Sequence, residues 1–485
     1  MQCRIRNPKD ERGAQRFVIR RAARCWRDVG WLLLLTAWTP AFGQSSVLDT
    51  SFKVGPGANV AVDSLVVQAD QRILVGGEFT TIGGGSNSFL ARLNSDGSVD
   101  ASFNPSGQTD GSVECLLQQP DRKVLVGGSF GRLLGHSQPA LARLLADGSV
   151  DATFDASATF TTNSSIFSLA LQVDGRLLVG YLASDEYASH VVRINTNGTL
   201  DPTFVCTNKI YGYVFALLPQ ADGSVLFGGN FMGIIGSTNY ALFRLAPDGR
   251  FDDTFDAGLA MSSVFCLVRQ PGGQILVGGL LNRTGASNSA PLLRLTPDLQ
   301  WDESFKIDAL GGVGGGGYMD PSVSALLLQP DGKMVIGGFF MEAAGYCRRE
   351  IVRLTAEGHV DGCFDPGLGL GGNERAGPVR ALALQPDGRV LIGGVFQGVD
   401  TAYGQFNLAR LLPQSDCDSI HVYLRGGDQT FAAATFPPGR TNYLEQSNDL
   451  KNWQAVETNT SPYIFYLNFS ISDPAPTFFR ARQER

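Results

Sequence analysis

The sequence predicts an all-β fold, a seven-bladed β-propeller followed by a small β-sandwich, and three observations predict it. One stretch is written seven times: QADQRILVGGEF from Gln68, QPDRKVLVGGSF from Gln119, QVDGRLLVGYL from Gln172, QADGSVLFGGNF from Gln220, QPGGQILVGGLL from Gln270, QPDGKMVIGGFF from Gln329 and QPDGRVLIGGVF from Gln385. A second motif, Asp-x-Ser/Thr-Phe, begins at Asp49, Asp100, Asp151, Asp201, Asp252, Asp302 and, with Cys363 in the hydroxyl slot, Asp361. Its phenylalanines are spaced by 51, 51, 50, 51, 50 and 59 residues. Between the two lies Arg-Leu or a close variant, at Arg92, Arg143, Arg193, Arg244, Arg294, Arg353 and Arg410. A period of ~50 residues holding several short strands is the mark of a propeller blade.

The chain begins with a targeting segment. Nine Lys or Arg residues stand against three acidic ones in residues 1–43, and the apolar core WLLLLTAW runs from Trp31 to Trp38. Ala41-Phe42-Gly43 supplies small residues for cleavage after Gly43. The apolar run is about half of the ~20 residues that span a bilayer. Residues 1–43 therefore read as a signal peptide and the mature chain as secreted, periplasmic or on the cell surface. Loss of that segment takes the net charge from −7 to −13. So acidic a chain, without a basic block, is a poor partner for nucleic acid or an anionic membrane.

Residues 44–412 make the propeller. In the last full period Val379–Leu384 is strand one, Arg389–Phe396 strand two and Phe406–Leu411 strand three; the Asp-x-Ser-Phe segment is strand four. Asp-Gly between strands is read as a two-residue hairpin turn. The first Asp-x-Ser-Phe, at Asp49, has no strands before it, and the last blade has no copy after it. The N-terminal strand Leu48–Phe52 should therefore lie beside Phe406–Leu411 and close the ring, which removes an open sheet edge. Four residues before each opening Gln stand Ser64, Cys115, Ser168, Ala216, Cys266, Ala325 and Ala381. All are small, as the crowded centre of a propeller requires.

The Gln-Pro-Asp-Gly-Arg/Lys-x-Leu-x-Gly-Gly-x-Phe, Ala-Arg-Leu and Leu-Asp-x-Ser-Phe segments resemble the delta-60 repeat, a bacterial secreted β-propeller family. The resemblance covers about residues 45–412. It implies the propeller fold and no single activity. Kelch repeats share Gly-Gly after an apolar strand, but their paired aromatic signature is missing here.

After a linker, residues 413–419, the period stops. HVYLRG, TFAAATF, NYLEQS, YIFYLNFSI and FFRAR alternate as strands of a small sandwich over residues 420–485. The run from Tyr443 to Leu450, with Trp453 and the close Phe478-Phe479-Arg480-Ala481, is similar to small C-terminal β-domains on secreted proteins of Verrucomicrobia-like bacteria. Trp453 reads as a core residue, with a sugar-stacking platform as the alternative.

The seven Arg and seven Asp of the motifs pair one to one, as Arg92 with Asp100, Arg244 with Asp252 and Arg410 with Asp49 through ring closure. Seven identical copies suit one structural pair per blade better than an anion site. No cofactor and no metal site is expected: Cys-x-x-Cys spacing is absent and four histidines are scattered. The Asp-Gly-Ser-x-Asp runs read as turns rather than calcium loops. Cys115 and Cys266 fill the small column, and Cys347 and Cys363 can bridge in an oxidising compartment.

Function is expected on the face formed by the two-to-three loops and the blade-to-blade links, because the opposite face is uniform tight turns. Candidate ligand-binding residues there are Tyr181, Asp185, Tyr187, Tyr213, Tyr318, Asp320, Arg348, Arg375 and Tyr403. Tyr181 stands where the other repeats have the second glycine of Gly-Gly. Aromatic and Arg residues suit recognition of an extracellular glycan or protein. A non-catalytic binding scaffold is the expected function. The alternative is a polysaccharide hydrolase or lyase using Asp185, Glu186 and Asp320.

Overall fold

The structure is a computed structural model. It describes residues 48–413, apart from 104–108, 235–240, 285–288, 312–319, 345, 362–363, 365–369, 372–377, 400–401 and 404–405. Elsewhere it describes Ile19–Arg20 and six strands between Ile420 and Gln483. The chain divides into two units, one spanning Leu48–Val360 and Pro366–Pro413, the other holding the C-terminal strands.

The first unit is the propeller. Its seven first strands are Val62–Val67, Ser112–Gln118, Ser164–Leu171, Ile210–Pro219, Ser263–Arg269, Ser322–Leu328 and Val379–Leu384. Each begins an antiparallel one-two-three array whose third strand carries the Arg-Leu motif. Each first strand packs against the next around the ring, and the seventh packs against the first. Blades three and four are also joined in one six-stranded sheet through Ser189 and Ile210.

The tight turns differ from the expected two-residue form. In the third blade Gln172 N–H bonds Arg176 O at 2.8 Å and Gly175 N–H bonds Gln172 O at 3.0 Å, with Gly175 alone at φ +83°. This is a type I turn followed by one left-handed residue. The reason lies in the aspartate, whose Oδ1 accepts the N–H two residues on, as Asp174 does from Arg176 at 3.0 Å. Gln71 and Arg122 take the left-handed position where the first two repeats lack the glycine.

The fourth strand is shorter than expected. It is reduced to one bridge, such as Leu93–Val99, and one further bond, Asp100 N–H to Arg92 O at 2.9 Å. It stops there because the Asp100 carboxylate accepts the Ser102 N–H and Oγ–H, at 3.0 and 2.6 Å, which turns the chain out of the sheet. Phe103 is thereby delivered into the core of the following blade, beside Val113 and Val126. Closure uses the same parts. Leu48 bridges Leu411, Asp49 N–H bonds Arg410 O at 2.8 Å, and Phe52 packs in a cluster with blade one and with Leu391 and Leu408 of blade seven.

The Gly-Gly pair is explained by two close approaches. A Cβ on the first glycine would meet a strand-one side chain of the next blade, as Gly228 would Val264 Cγ1 at 2.4 Å. The seventh blade meets the first in this way, Gly393 against Val62 Cγ1 at 2.5 Å. A Cβ on the second would strike a backbone carbonyl, as Gly77 would Ala61 O at 2.2 Å.

The C-terminal unit holds two antiparallel three-stranded arrays. Ile420–Leu424, Gln429–Ala434 and Phe465–Ser470 form one, with Ile19–Arg20 parallel to its edge. Asn442–Ser447, Gln454–Asn459 and Phe478–Gln483 form the other. The expected cleavage site at Gly43, residues 414–419 of the expected linker 413–419, Trp453 and Cys363 lie outside the described residues. No helix among the described residues is long and apolar enough to cross a membrane.

Candidate functional site

Every strand-one to strand-two pairing slips by one residue at the same place, just before the small column. The bulged residues are Asp63, Glu114, Phe167, Phe215, Phe265, Ser324 and Arg380. A bulge re-aims the side chain it carries and is common beside functional sites. Strand one is the innermost strand, and the slip lies near its start, where the blade-to-blade link enters. The seven residues therefore ring the channel at its mouth on the variable face. Members of this ring touch across blade boundaries: Arg380 with Asp63, Phe167 with Phe215, and Phe215 with Phe265.

The ring is split by chemistry. Blades seven, one and two contribute Arg380, Asp63 and Glu114. Arg380 Nη1 donates to Asp63 Oδ1 at 2.6 Å and to Glu78 Oε1 at 3.1 Å. The Asp63 side chain is only 8% exposed, and its Oδ2 is buried with no hydrogen-bond partner. Burial pushes the Asp63 carboxyl above its usual range, against the opposing effect of Arg380. Glu114 accepts Ser112 Oγ–H at 2.7 Å. Burial, and then the Asp63 charge, push the Glu114 carboxyl up to about 7.

Blades three to five contribute an aromatic wall. Phe167 meets Tyr213 edge-on at 5.1 Å, and Tyr213 stacks on Phe215 at 5.7 Å with 16° between the planes. Phe265 lies 5.7 Å beyond Phe215. Tyr213 is 42% exposed, so the wall has an accessible face. It sits where blades three and four are fused, and there the fourth blade's first strand runs ten residues, Ile210–Pro219. In blade six, Ser324 Oγ–H is taken up by Val379 O at 2.7 Å.

The other expected residues are dispersed. Tyr181 lies in mid-strand, edge-on to Phe160 at 5.1 Å and stacked on His190 at 5.2 Å, as part of the packing between blades two and three. Burial raises its hydroxyl pKa. Asp185 and Tyr187 are at an exposed hairpin tip, with Tyr187 at φ +52°. Asp320 is exposed, whereas Arg348 is buried. Tyr318 and Arg375 lie outside the described residues, and of Tyr403 only the backbone pairing with Gly398 is described. Among the described side chains of these nine, Tyr213 alone touches the ring, at Phe167 and Phe215.

The motif arginines have their own partners. Arg92, Arg143, Arg193, Arg294 and Arg410 donate Nε–H to Asp100, Asp151, Asp201, Asp302 and Asp49 at 2.7–2.8 Å. Arg244 does the same to Asp252. Arg92, Arg143 and Arg193 reach with Nη1 to a carbonyl in the next blade's turn, Asp147, Thr196 and Pro247. Arg410 reaches Ser95 in the first blade. The six guanidinium groups lie 4.3–5.8 Å from the phenylalanine ring of their own motif. Arg92, Arg143, Arg193 and Arg410 thereby tie one blade to the next. A cleft of about 520 Å³ on the tight-turn face, between blades five and six, is lined by Gln274, Arg294 and Glu357, and Arg294 is already held by Asp302. Among the described residues no group of three or more His, Cys, Asp or Glu is placed to hold a metal ion.

Asp63, Glu114, Phe167, Phe215, Phe265 and Arg380 were missed by sequence reasoning. Their signal was present: they form a chemically variable column immediately before the uniform small column.

Comparison with known proteins adds the family. No curated protein matches the chain. Among solved structures, it is similar to a calcium-binding protein, regucalcin, from Agrobacterium tumefaciens (11% identity, 74% of this chain and 91% of that one, TM-score 0.34). It is also similar to an exo-beta-1,3-galactanase from Clostridium thermocellum (13%, 78% and 88%, TM-score 0.28) and a GH43 beta-1,3-galactosidase (13%, 89% and 93%, TM-score 0.30). At these identities and scores none of them lends this chain an activity. The model of a family described as a domain of unknown function (DUF5122) beta-propeller matches residues 68–103, 119–154, 172–204, 220–255, 270–305, 329–364 and 385–419. Those seven segments make up just over half of the chain, one per blade, and the chain belongs to the DUF5122 beta-propeller family.

Proposed function

We propose that the protein is a non-catalytic binding scaffold working outside the cytoplasm, and that it takes an extracellular glycan at the channel mouth on its variable face. The observation that carries this reading is the split ring. The motif columns repeat almost unchanged around the propeller, while the bulge column changes from charged to aromatic. An aromatic wall beside hydrogen-bonding carboxylates suits a sugar, whose C–H face packs on rings and whose hydroxyls seek polar partners. The delta-60-like repeats and the basic-then-apolar N-terminus support the extracellular setting.

A second reading, a polysaccharide hydrolase or lyase, draws on Glu114. A carboxyl held near neutral beside a second carboxylate is the arrangement that general acid chemistry uses. Asp63 is tied to Arg380, however, and that fixed pair suits holding a ligand. The test is a glycan and polysaccharide array with the secreted chain, followed by a product assay on each hit. Binding that Phe215→Ala removes, without product, is expected. Release of shorter sugars that stops in Glu114→Gln would move the assignment to the enzyme. Binding unaffected by Phe215→Ala would remove the site from the channel mouth.

A further inference from the structure

Three carboxylates, Asp63, Glu78 and Glu114, share one guanidinium, that of Arg380. Arg380 satisfies Asp63 Oδ1 and Glu78 Oε1, and Ser112 satisfies one oxygen of Glu114. Asp63 Oδ2 is left buried and unpartnered in a side chain more than nine-tenths buried. An unmade hydrogen bond at a buried carboxylate is costly, so a donor that reaches Asp63 Oδ2, which is closed to water in the unliganded chain, gains more than it would at a solvated oxygen. An anion is disfavoured, because the cluster carries an excess of negative charge. The rest of the ring points the same way, since aromatic faces attract cations through their quadrupole. Phe167, Phe215 and Phe265 offer three such rings in the bulge column, and Tyr213 adds a fourth stacked on Phe215.

We infer that the channel mouth is selective for an oligosaccharide of amino sugars, one ammonium group being taken by the unpartnered Asp63 oxygen with Glu114 beside it, and another ring of the same chain packing on the Phe215 wall. This rests on the glycan reading above and narrows it. The ammonium supplies the cation that the cluster lacks and the donor that Asp63 lacks. Acetylation of the nitrogen removes the charge, so N-acetylated sugars lose the contact that discriminates. A lysine side chain offers the same cation without a pyranose face, and the observations favour the sugar because the aromatic wall is several rings long.

The experiment is calorimetric titration of the full secreted chain with glucosamine hexamer, N-acetylglucosamine hexamer, cellohexaose and an oligolysine peptide. The glucosamine hexamer is expected to bind at least about tenfold more tightly than either neutral hexamer, the loss expected when a charged hydrogen bond is removed. Asp63→Asn should abolish that preference while leaving weak binding of the neutral hexamers. If Asp63→Asn does not fold, Glu114→Gln carries the same comparison. Phe215→Ala should weaken all three sugars together. Equal binding of neutral and amino hexamers, lost in Phe215→Ala, overturns the amine selectivity and leaves the glycan reading standing. Binding of oligolysine as tight as the amino hexamer overturns the sugar in favour of a basic peptide. Binding of none of the four overturns the inference and, with an empty array, the glycan reading as well.

Discussion

Ring closure can be tested through one contact between residues 331 positions apart. Gly393 of blade seven packs on Val62 of blade one, and an added Cβ would lie 2.5 Å from Val62 Cγ1, 3.1 Å from its Cβ and 3.3 Å from Leu65 Cδ1. Carbon atoms in good contact stand ~3.5–4.0 Å apart, so Gly393→Ala forces about an ångström of movement. Gly393 has an ordinary backbone conformation, and no left-handed φ penalises the alanine. Both neighbours are buried, and overpacking of this kind costs roughly 1–3 kcal/mol. Val62→Ala removes two methyl groups from a fully buried side chain, about 2 kcal/mol with its cavity. The Val62→Ala cavity is where the Gly393→Ala methyl would go. Urea denaturation of the two single variants and the double variant should therefore give a favourable coupling of about 1–2 kcal/mol. Gly228→Ala with Val264→Ala, the same contact between adjacent blades four and five, is the control. Additivity within ~0.5 kcal/mol at 393/62, with coupling at 228/264, would refute closure.

Three further outcomes follow from the same contacts. Arg193→Ala breaks a pair with both side chains 6% exposed and should cost about 3–5 kcal/mol by denaturant titration, whereas Arg244→Ala, at a pair 29% and 15% exposed, should cost less; equal losses would contradict the burial argument. Glu114 and Glu350 have carboxyls raised by burial to about 7 and about 8, so the folded state holds protons that the unfolded state, at about 4.5, releases. Around Glu114 the charged groups are Asp63, Glu78 and Arg380, and Arg349 acts on Glu350. Stability should therefore rise as pH falls from 8 towards 4.5, by about 3 kcal/mol from Glu114 alone. Below that, Asp96, held near 2 by Ser98 and Lys53, and Asp151 and Asp201, held lower still, lose their contribution as they protonate, so thermal melts should peak near pH 4–5; a peak at pH 7 or above would contradict this. Burial lifts the Cys206 and Cys266 thiols to about 11 and about 12, and that of Cys115 well above its ordinary value. Site-resolved alkylation at pH 8 should spare all three in the folded chain and label them in urea; labelling of Cys266 in the folded chain would count against its burial.

Most of the architecture was legible because it is repeated. Six copies of Gly-Gly and seven each of Arg-Leu and Asp-x-Ser-Phe or their close variants average out local ambiguity, and the unmatched Asp49 at one end and Arg410 at the other define the closure. The turn geometry was misread because Asp-Gly suggests two left-handed residues, whereas the aspartate carboxylate holds the turn from a right-handed position. The fourth strand was read too long for a related reason: the same carboxylate chemistry ends it at Asp100. The site was less legible. Loop variability drew attention to Tyr181 and Tyr187, but Tyr181 is a packing residue, edge-on to Phe160 and stacked on His190. Asp63, Glu114 and Arg380 lie on strands among apolar neighbours, and only the bulge, a backbone feature without a residue signature, turns them to the channel.

The most direct measurement is a crystal structure of the propeller grown with glucosamine hexamer or with any stronger hit from the array. The account predicts sugar density in the channel mouth, with one ring against Phe215 and an amine within ~3 Å of Asp63 Oδ2. Density confined to the tight-turn face or to the C-terminal unit, with the channel mouth holding only water, would contradict it.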